Sequence, residues 1–174
     1  MSEATRVIRI VEGRPQVLPD HWQVLAPDAD AAAMPATAAL LVPLARALQQ
    51  PELLERSAPA GLLLAPADEP AAAVPLFPRL ALIGVQFPKF TDGRGYSTAV
   101  LLRTRLGWRG ELRAVGDVLQ DQLYALRRVG FDSFALRSDR DPQAALAGFT
   151  PFSGAYQGSV DDPRPVYARR ADTP

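Results

Sequence analysis

Short apolar runs alternate along this chain with stretches of helical spacing, and that alternation defines the expected elements. Val7-Ile-Arg-Ile-Val11 and residues 15–25 flank Glu12-Gly13-Arg14, a pattern that predicts a small N-terminal β-hairpin with His21 and Trp22 in its second arm. Residues 27–39 are rich in Ala, Asp and Pro without apolar periodicity and read as a mobile loop. Ala39-Leu-Leu-Val42 runs into Pro43, a residue suited to a first helical turn, and Leu44, Leu48 and Leu53-Leu54 continue a helix or helix pair interrupted at Pro51. Gly61–Ala65 is a second strand, and residues 66–77 form a turn and a short helix. Leu80–Phe87 is almost continuously apolar, as expected of a strand buried on both faces in a parallel sheet.

Beyond Phe87 the pattern is most regular. Residues 96–106 place Ala99, Leu102 and Leu106 on one helical stripe, with Ser97 as a capping residue near the start and Gly107 and Gly110 ending the helix. Glu111–Val115 is a fourth strand. Asp117, with Gln120 three positions on, matches a capping box for a helix whose stripe is Leu119, Leu123 and Leu126. Arg127 and Arg128 suit its carboxyl end, and Gly130 breaks it. Ser133–Arg137 is a fifth strand, residues 142–147 make a further helical turn or two, and Phe149–Tyr156 adds an edge strand. Alternating strands and helices predict an α/β domain: a mainly parallel sheet of about five strands with flanking helices, either an open sheet or an incomplete β/α barrel. Residues 1–38 form hairpin and linker, 39–160 the α/β domain, and 161–174 a charged, Pro-rich tail.

Composition narrows the chemistry. A chain of 174 residues with 48% apolar side chains can bury a substantial core. The 19 basic and 19 acidic residues cancel, which gives no long-range field for nucleic acid. No cysteine is present, so disulfides, thiolate nucleophiles and thiolate-ligated metal centres are excluded. His21 is the only histidine, and nothing near it in sequence would orient it as a base. The start of the chain lacks the apolar core of a signal peptide and no stretch approaches the length of a membrane span, so the expected setting is cytoplasmic, with no membrane partner.

Loops that leave the carboxyl ends of parallel strands gather at one edge, where ligands usually bind. Three such loops carry polar groups: Lys89, Asp92 and Arg94; Gly116 and Asp117; Arg137, Asp139 and Arg140. Gly93-Arg94-Gly95 stands just before a helix start, where free N–H groups attract anions. With Lys89, Asp92, Tyr96 and Ser97 it makes a candidate cradle for a small oxyanion such as phosphate, sulfate, sulfite or a carboxylate. The same residues equally fit a tight turn in which Asp92 and Arg94 pair with each other or with Asp117. Asp117 is the candidate acid or base, although capping a helix would account for it as well. Arg113, within a strand, requires a partner, for which Glu111 and Asp121 are candidates. Asp121 and Gln122 fall on the exposed side of their helix. Trp22 and Trp108 are either anchors for a protein partner or ordinary packing.

Phe87-Pro-Lys-Phe-Thr-Asp-Gly-Arg-Gly-Tyr-Ser97, Gly110-Glu-Leu-Arg-Ala-Val-Gly-Asp-Val118, Asp121-Gln122 and Arg127-Arg-Val-Gly-Phe-Asp132 together resemble a bacterial family catalogued as a domain of unknown function, number nine-three-four. The likeness extends to Val42-Pro-Leu-Ala-Arg46 and Ala155-Tyr-Gln-Gly158. It implies an accessory role in assimilatory sulfate and sulfite reduction, because members are commonly encoded beside sulfite reductase and adenylyl-sulfate reductase genes; some are labelled oxidoreductases on that basis. The resemblance brings no catalytic residues and leaves the cofactor unknown. Members often have Cys where this chain has Val129, which implies that such a thiol is dispensable. The expected partners are therefore sulfite reductase and a small oxyanion, with a small enzyme acting on an anionic substrate, or a structural subunit of an oligomer, as the alternatives.

Overall fold

The computed structural model describes residues 5–26, 28–30, 33–150, 152 and 155–165. Its fold is mixed α/β, built on a curled open sheet of eight strands with helices on its flank. The strands are β1 (Arg6–Val11), β2 (Arg14–Pro19), β3 (Trp22–Val24), β4 (Ala39–Pro43), β5 (Ala60–Leu64), β6 (Leu82–Phe87), β7 (Glu111–Gly116) and β8 (Ser133–Phe134). Their spatial order is β2-β1-β8-β7-β6-β5-β4-β3. From β3 to β8 every strand is parallel to its neighbour, whereas β1 is antiparallel to both β2 and β8.

The sheet therefore has eight strands and mixed direction, not about five in parallel. Two causes account for the difference. The segment expected as one hairpin arm over 15–25 is two strands: β2 pairs with β1, while the three-residue β3 pairs with β4 on the far edge. In addition, the hairpin expected apart from the α/β domain joins the sheet, β1 pairing antiparallel with β8 as well as with β2. The expected hairpin does form, turning at Glu12 and Gly13, both at positive φ. The edge strand expected over 149–156 is absent among the described residues: Phe149 closes a 3-10 turn, and 151, 153 and 154 lie outside them. The loop expected over 27–39 is described only in part, and of the expected tail only residues up to 165 are described.

Consecutive parallel strands in sequential order send their helices to one face. Helices α1 (Leu44–Gln49), α2 (Arg94–Thr104), α3 (Leu123–Arg128) and α4 (Pro142–Ala145) flank the sheet, with a ten-residue 3-10 segment, Pro70–Arg79, between β5 and β6. Leu44, Ala99, Leu102, Leu123 and Leu126 from the helices meet Leu40, Val42, Leu62, Leu64, Ile83, Val85, Phe87, Leu112, Ala114 and Phe134 from alternate strand positions in one core. The other face holds a smaller cluster of Leu41, Leu63 and Leu82, against which Trp22 and Val115 pack. Trp108 is buried, donates from its indole to the Glu111 carbonyl at 3.1 Å and stands edge-on to Phe77. Both tryptophans thus pack within the fold, Trp108 buried and Trp22 half-buried. No helix among the described residues is long and apolar enough to cross a membrane.

β2 and β3 stand at opposite ends of the strand order, yet only Asp20 and His21 separate them in the chain. Two residues span no more than about 10 Å, so the sheet must curl until its edges nearly meet. Asp20 holds this joint. Its carboxylate accepts from the Trp22 N–H at 3.2 Å and from Arg113 Nη1 at 2.8 Å, reaching across the inside of the curl to β7. The Arg113 side chain is 3% exposed and that of Asp20 8%. Arg113 also donates to Glu111 at 2.8 Å and to the Ser133 hydroxyl at 2.9 Å, and Glu111 in turn pairs with Arg9 at 3.1 Å. Of the partners expected for Arg113, Glu111 is present and Asp121 is not; Asp20, distant in sequence, carries the contact.

Removing one member of a buried pair leaves an uncompensated charge. Asp20→Ala is expected to lower stability by about 3 kcal/mol, read from the urea midpoint. The same change in an Arg113→Met background should cost much less, a coupling that a double-mutant cycle measures directly.

Candidate functional site at the carboxyl edge

The three polar loops do lie side by side. β6, β7 and β8 are adjacent and parallel, so the segments after Phe87, Gly116 and Phe134 leave the same edge. Gly116 makes the turn after β7 possible: its φ is +108°, and a Cβ there would stand 2.4 Å from the Phe87 carbonyl oxygen. The chain then reverses, with Asp117 N–H donating to that same carbonyl at 2.7 Å. This places the Asp117 carboxylate between its neighbours. One oxygen accepts from the Phe90 N–H at 2.8 Å, and the other from Arg137 Nη1 at 2.9 Å.

Asp117 is therefore no helix cap. The segment beyond it opens with a 3-10 turn, Gln120–Gln122, before α3, and Gln122 supplies the capping interaction by accepting from the Leu119 N–H at 2.9 Å. Gln122 was expected on the exposed side with Asp121; Asp121 is exposed, but Gln122 is only 6% accessible. Its amide reaches the Phe90 carbonyl at 3.4 Å and its side chain bonds Tyr96. Burial raises the Tyr96 phenol above its ordinary value, and the bond to Gln122 partly offsets this. The only sequence sign of this role is the three-residue spacing from Leu119, which a Leu in the capping position obscures.

The glycine-rich turn has an anion of its own. α2 begins at Arg94 with Gly93 in the capping position, one turn earlier than Ser97, which is exposed inside the helix and caps nothing. Asp92 accepts from the Arg94 N–H at 3.2 Å and from its guanidinium at 3.0 and 2.7 Å. The hydrogen bonds from Arg94, side chain first and backbone second, hold the Asp92 carboxyl below its ordinary value. Gly95 serves packing, since a Cβ there would lie 2.5 Å from the Phe87 ring. Lys89 is exposed and makes no ion pair among the described residues.

The third loop repeats this economy. Arg137 directs Nε and Nη2 to Asp139 at 2.7 and 3.0 Å while Nη1 holds Asp117, and Arg140 lies 3.6 Å from Asp139. The bond from Arg137 leads in holding Asp139 below its ordinary value. Two clefts flank the clasp. One of about 510 Å³ is lined by Thr5, Arg6, Arg137, Asp139, Arg140 and Asp141; the other, of about 310 Å³, by Gln120, Asp121, Asp139, Arg140 and Ala144. Thr5 and Arg6 come from the N-terminal strand, which runs antiparallel beside β8, a contribution no local pattern announces. No cluster of three metal-ligating side chains occurs among the described residues.

On the opposite edge, Arg103 anchors the loop before β7. It donates to the carbonyls of Gly130, Trp108 and Gly110 at 2.9, 3.1 and 2.8 Å and to Asp132 at 2.8 Å. Burial dominates both partners, raising Asp132 and lowering Arg103. These bonds account for Arg103 and Asp132 as framework.

A family model described as a bacterial protein of unknown function, DUF934, matches residues 61–167. No curated protein and no solved structure matches the chain.

The carboxylates should titrate in opposite senses. Asp92 and Asp139, depressed by their arginines, stabilise the fold above the ordinary carboxyl value of 3.8 and lose that contribution as pH falls. Asp132, raised by burial, binds its proton more readily in the folded state, so its effect reverses: stability declines as pH climbs past 3.8. Carbon-detected carboxyl titrations by NMR should give midpoints below 3.8 for Asp92 and Asp139 and above it for Asp132. Arg94→Ala should return Asp92 alone to the ordinary range.

Proposed function

Because the chain belongs to DUF934, a bacterial family of unknown function, we propose that it is an accessory protein of assimilatory sulfate and sulfite reduction. It acts in the cytoplasm by binding sulfite reductase or the reductase's electron donor. The association of similar proteins with sulfite reductase genes supports the pathway. The observation that carries an accessory role over a catalytic one is the state of Asp117. Both of its oxygens are engaged, by the Phe90 N–H and by Arg137, and a carboxylate so committed makes a poor general base.

A small oxyanion fits this reading as a regulated or transient ligand. At the start of α2 it must compete with Asp92 for the Arg94 guanidinium and N–H. Calorimetric titration of sulfite, sulfate and phosphate should therefore give weak binding in the wild-type chain. Asp92→Ala should tighten it about tenfold by freeing Arg94, and Arg94→Ala should abolish it.

A second reading is a small enzyme acting on an anionic substrate at the same edge. Its support is the pair of clefts that meet at Asp139 and Arg140 beside Asp117. As an oxidoreductase it would have to recruit a flavin or nicotinamide, because the chain has no cysteine and one histidine. The deciding experiment is co-purification with sulfite reductase from the native host, together with growth of a deletion strain on sulfate and on cysteine. Association plus a defect confined to sulfate supports the accessory role. Absence of association at every salt concentration overturns it.

A further inference from the structure

Phe90 is held in an unusual way. The residue is 44% exposed, in a loop where Pro88, Lys89 and Thr91 are also exposed. Single exposed apolar side chains are ordinary and carry no meaning alone. What distinguishes this one is its backbone. Its N–H is bonded by Asp117 from the loop after β7, and its carbonyl faces the amide of the buried Gln122. A third bond, from the Asp92 N–H to the Lys89 carbonyl at 3.0 Å, closes the turn on the other side. Polar groups from a separate loop and from the turn before α3 are thus spent on fixing a segment whose apolar side chain contacts water. Rigid display of an aromatic ring lowers the entropy lost when that ring is buried by a partner.

Charge specifies the kind of partner. Within this loop Asp92 neutralises Arg94, so the outward charge is that of Lys89. Lys89 is also the only lysine among the 19 basic side chains of the chain. An arginine there would offer a planar fork to the neighbouring carboxylates, Asp92 and Asp117; an ammonium is compact and strongly hydrated and remains available. The pairing of a fixed aromatic ring with one adjacent unneutralised cation is complementary to an apolar pocket edged by carboxylates.

We propose that Lys89–Phe90 is the docking point of this chain on its protein partner, the ring entering an apolar pocket and the ammonium pairing with an acidic group at that pocket's rim. This rests on the accessory reading, and the probes are the purified sulfite reductase and its purified electron donor, each titrated with the full-length chain. With whichever of them binds, Phe90→Ala should weaken affinity at least about thirtyfold while leaving the fold intact, since no bond of the loop uses the ring. Lys89→Glu should slow association and remove its dependence on salt. Tyr156→Ala, at an aromatic residue that is 80% exposed elsewhere, should change nothing. Amine acetylation supplies an independent readout, because Lys89 is the only side chain it can modify: protection of Lys89 in the complex, seen by mass spectrometry, supports the docking point. Binding by the wild-type chain that Phe90→Ala leaves unchanged, with Lys89 still acetylated, overturns the docking point and spares the accessory role. Failure of the wild-type chain to bind either protein overturns both.

Discussion

The bond between Arg113 and Asp20 is the constraint on which the architecture turns. A sheet whose opposite edges are consecutive in the chain can exist only if it curls, and curling places the β7 side chains of the inner face toward the joint between β2 and β3. A wholly apolar interior would hold the curl without fixing where Asp20 sits. A buried guanidinium does both, because its donors must all be met: Asp20, Glu111 and Ser133 meet them, and Arg9 balances Glu111 from the antiparallel strand. The network thus ties β1, β7, β8 and the edge joint into one unit.

With the curl set, β6, β7 and β8 deliver their loops to one edge, and there the chain satisfies its own charges. Asp92 fills the start of α2, Asp139 clasps Arg137, and Asp117 joins two loops. Such an edge is rigid and close to neutral. Within the loop after β6, Lys89 and the ring of Phe90 stand outside this mutual neutralisation.

Much of this was legible in the residues. Leu82–Phe87, Glu111–Gly116 and the α2 and α3 stripes carry their period over whole elements, so the central parallel strands and the gathering of three loops follow from local pattern. The turn alternative, with Asp92 paired to Arg94, was equally visible, since two residues of opposite charge that close are neighbours in any tight turn. What pattern alone could not settle was whether a glycine near a helix start serves a ligand or a ring. At Gly95 the answer is Phe87, and no spacing encodes that contact.

The sequence by itself determined the α/β class, the parallel direction of the central strands and the absence of thiolate chemistry, because hydrophobic period and residue type act over a few positions. Tertiary structure alone decided the rest: that residues 14–24 split between two edges, that Asp20 answers Arg113 across 93 positions of chain, and that Gln122 turns inward to hold Phe90. These are choices among partners far apart in sequence, made when the curl brings them within hydrogen-bonding distance. Their energies come from desolvation at that meeting, which no local stretch of chain experiences.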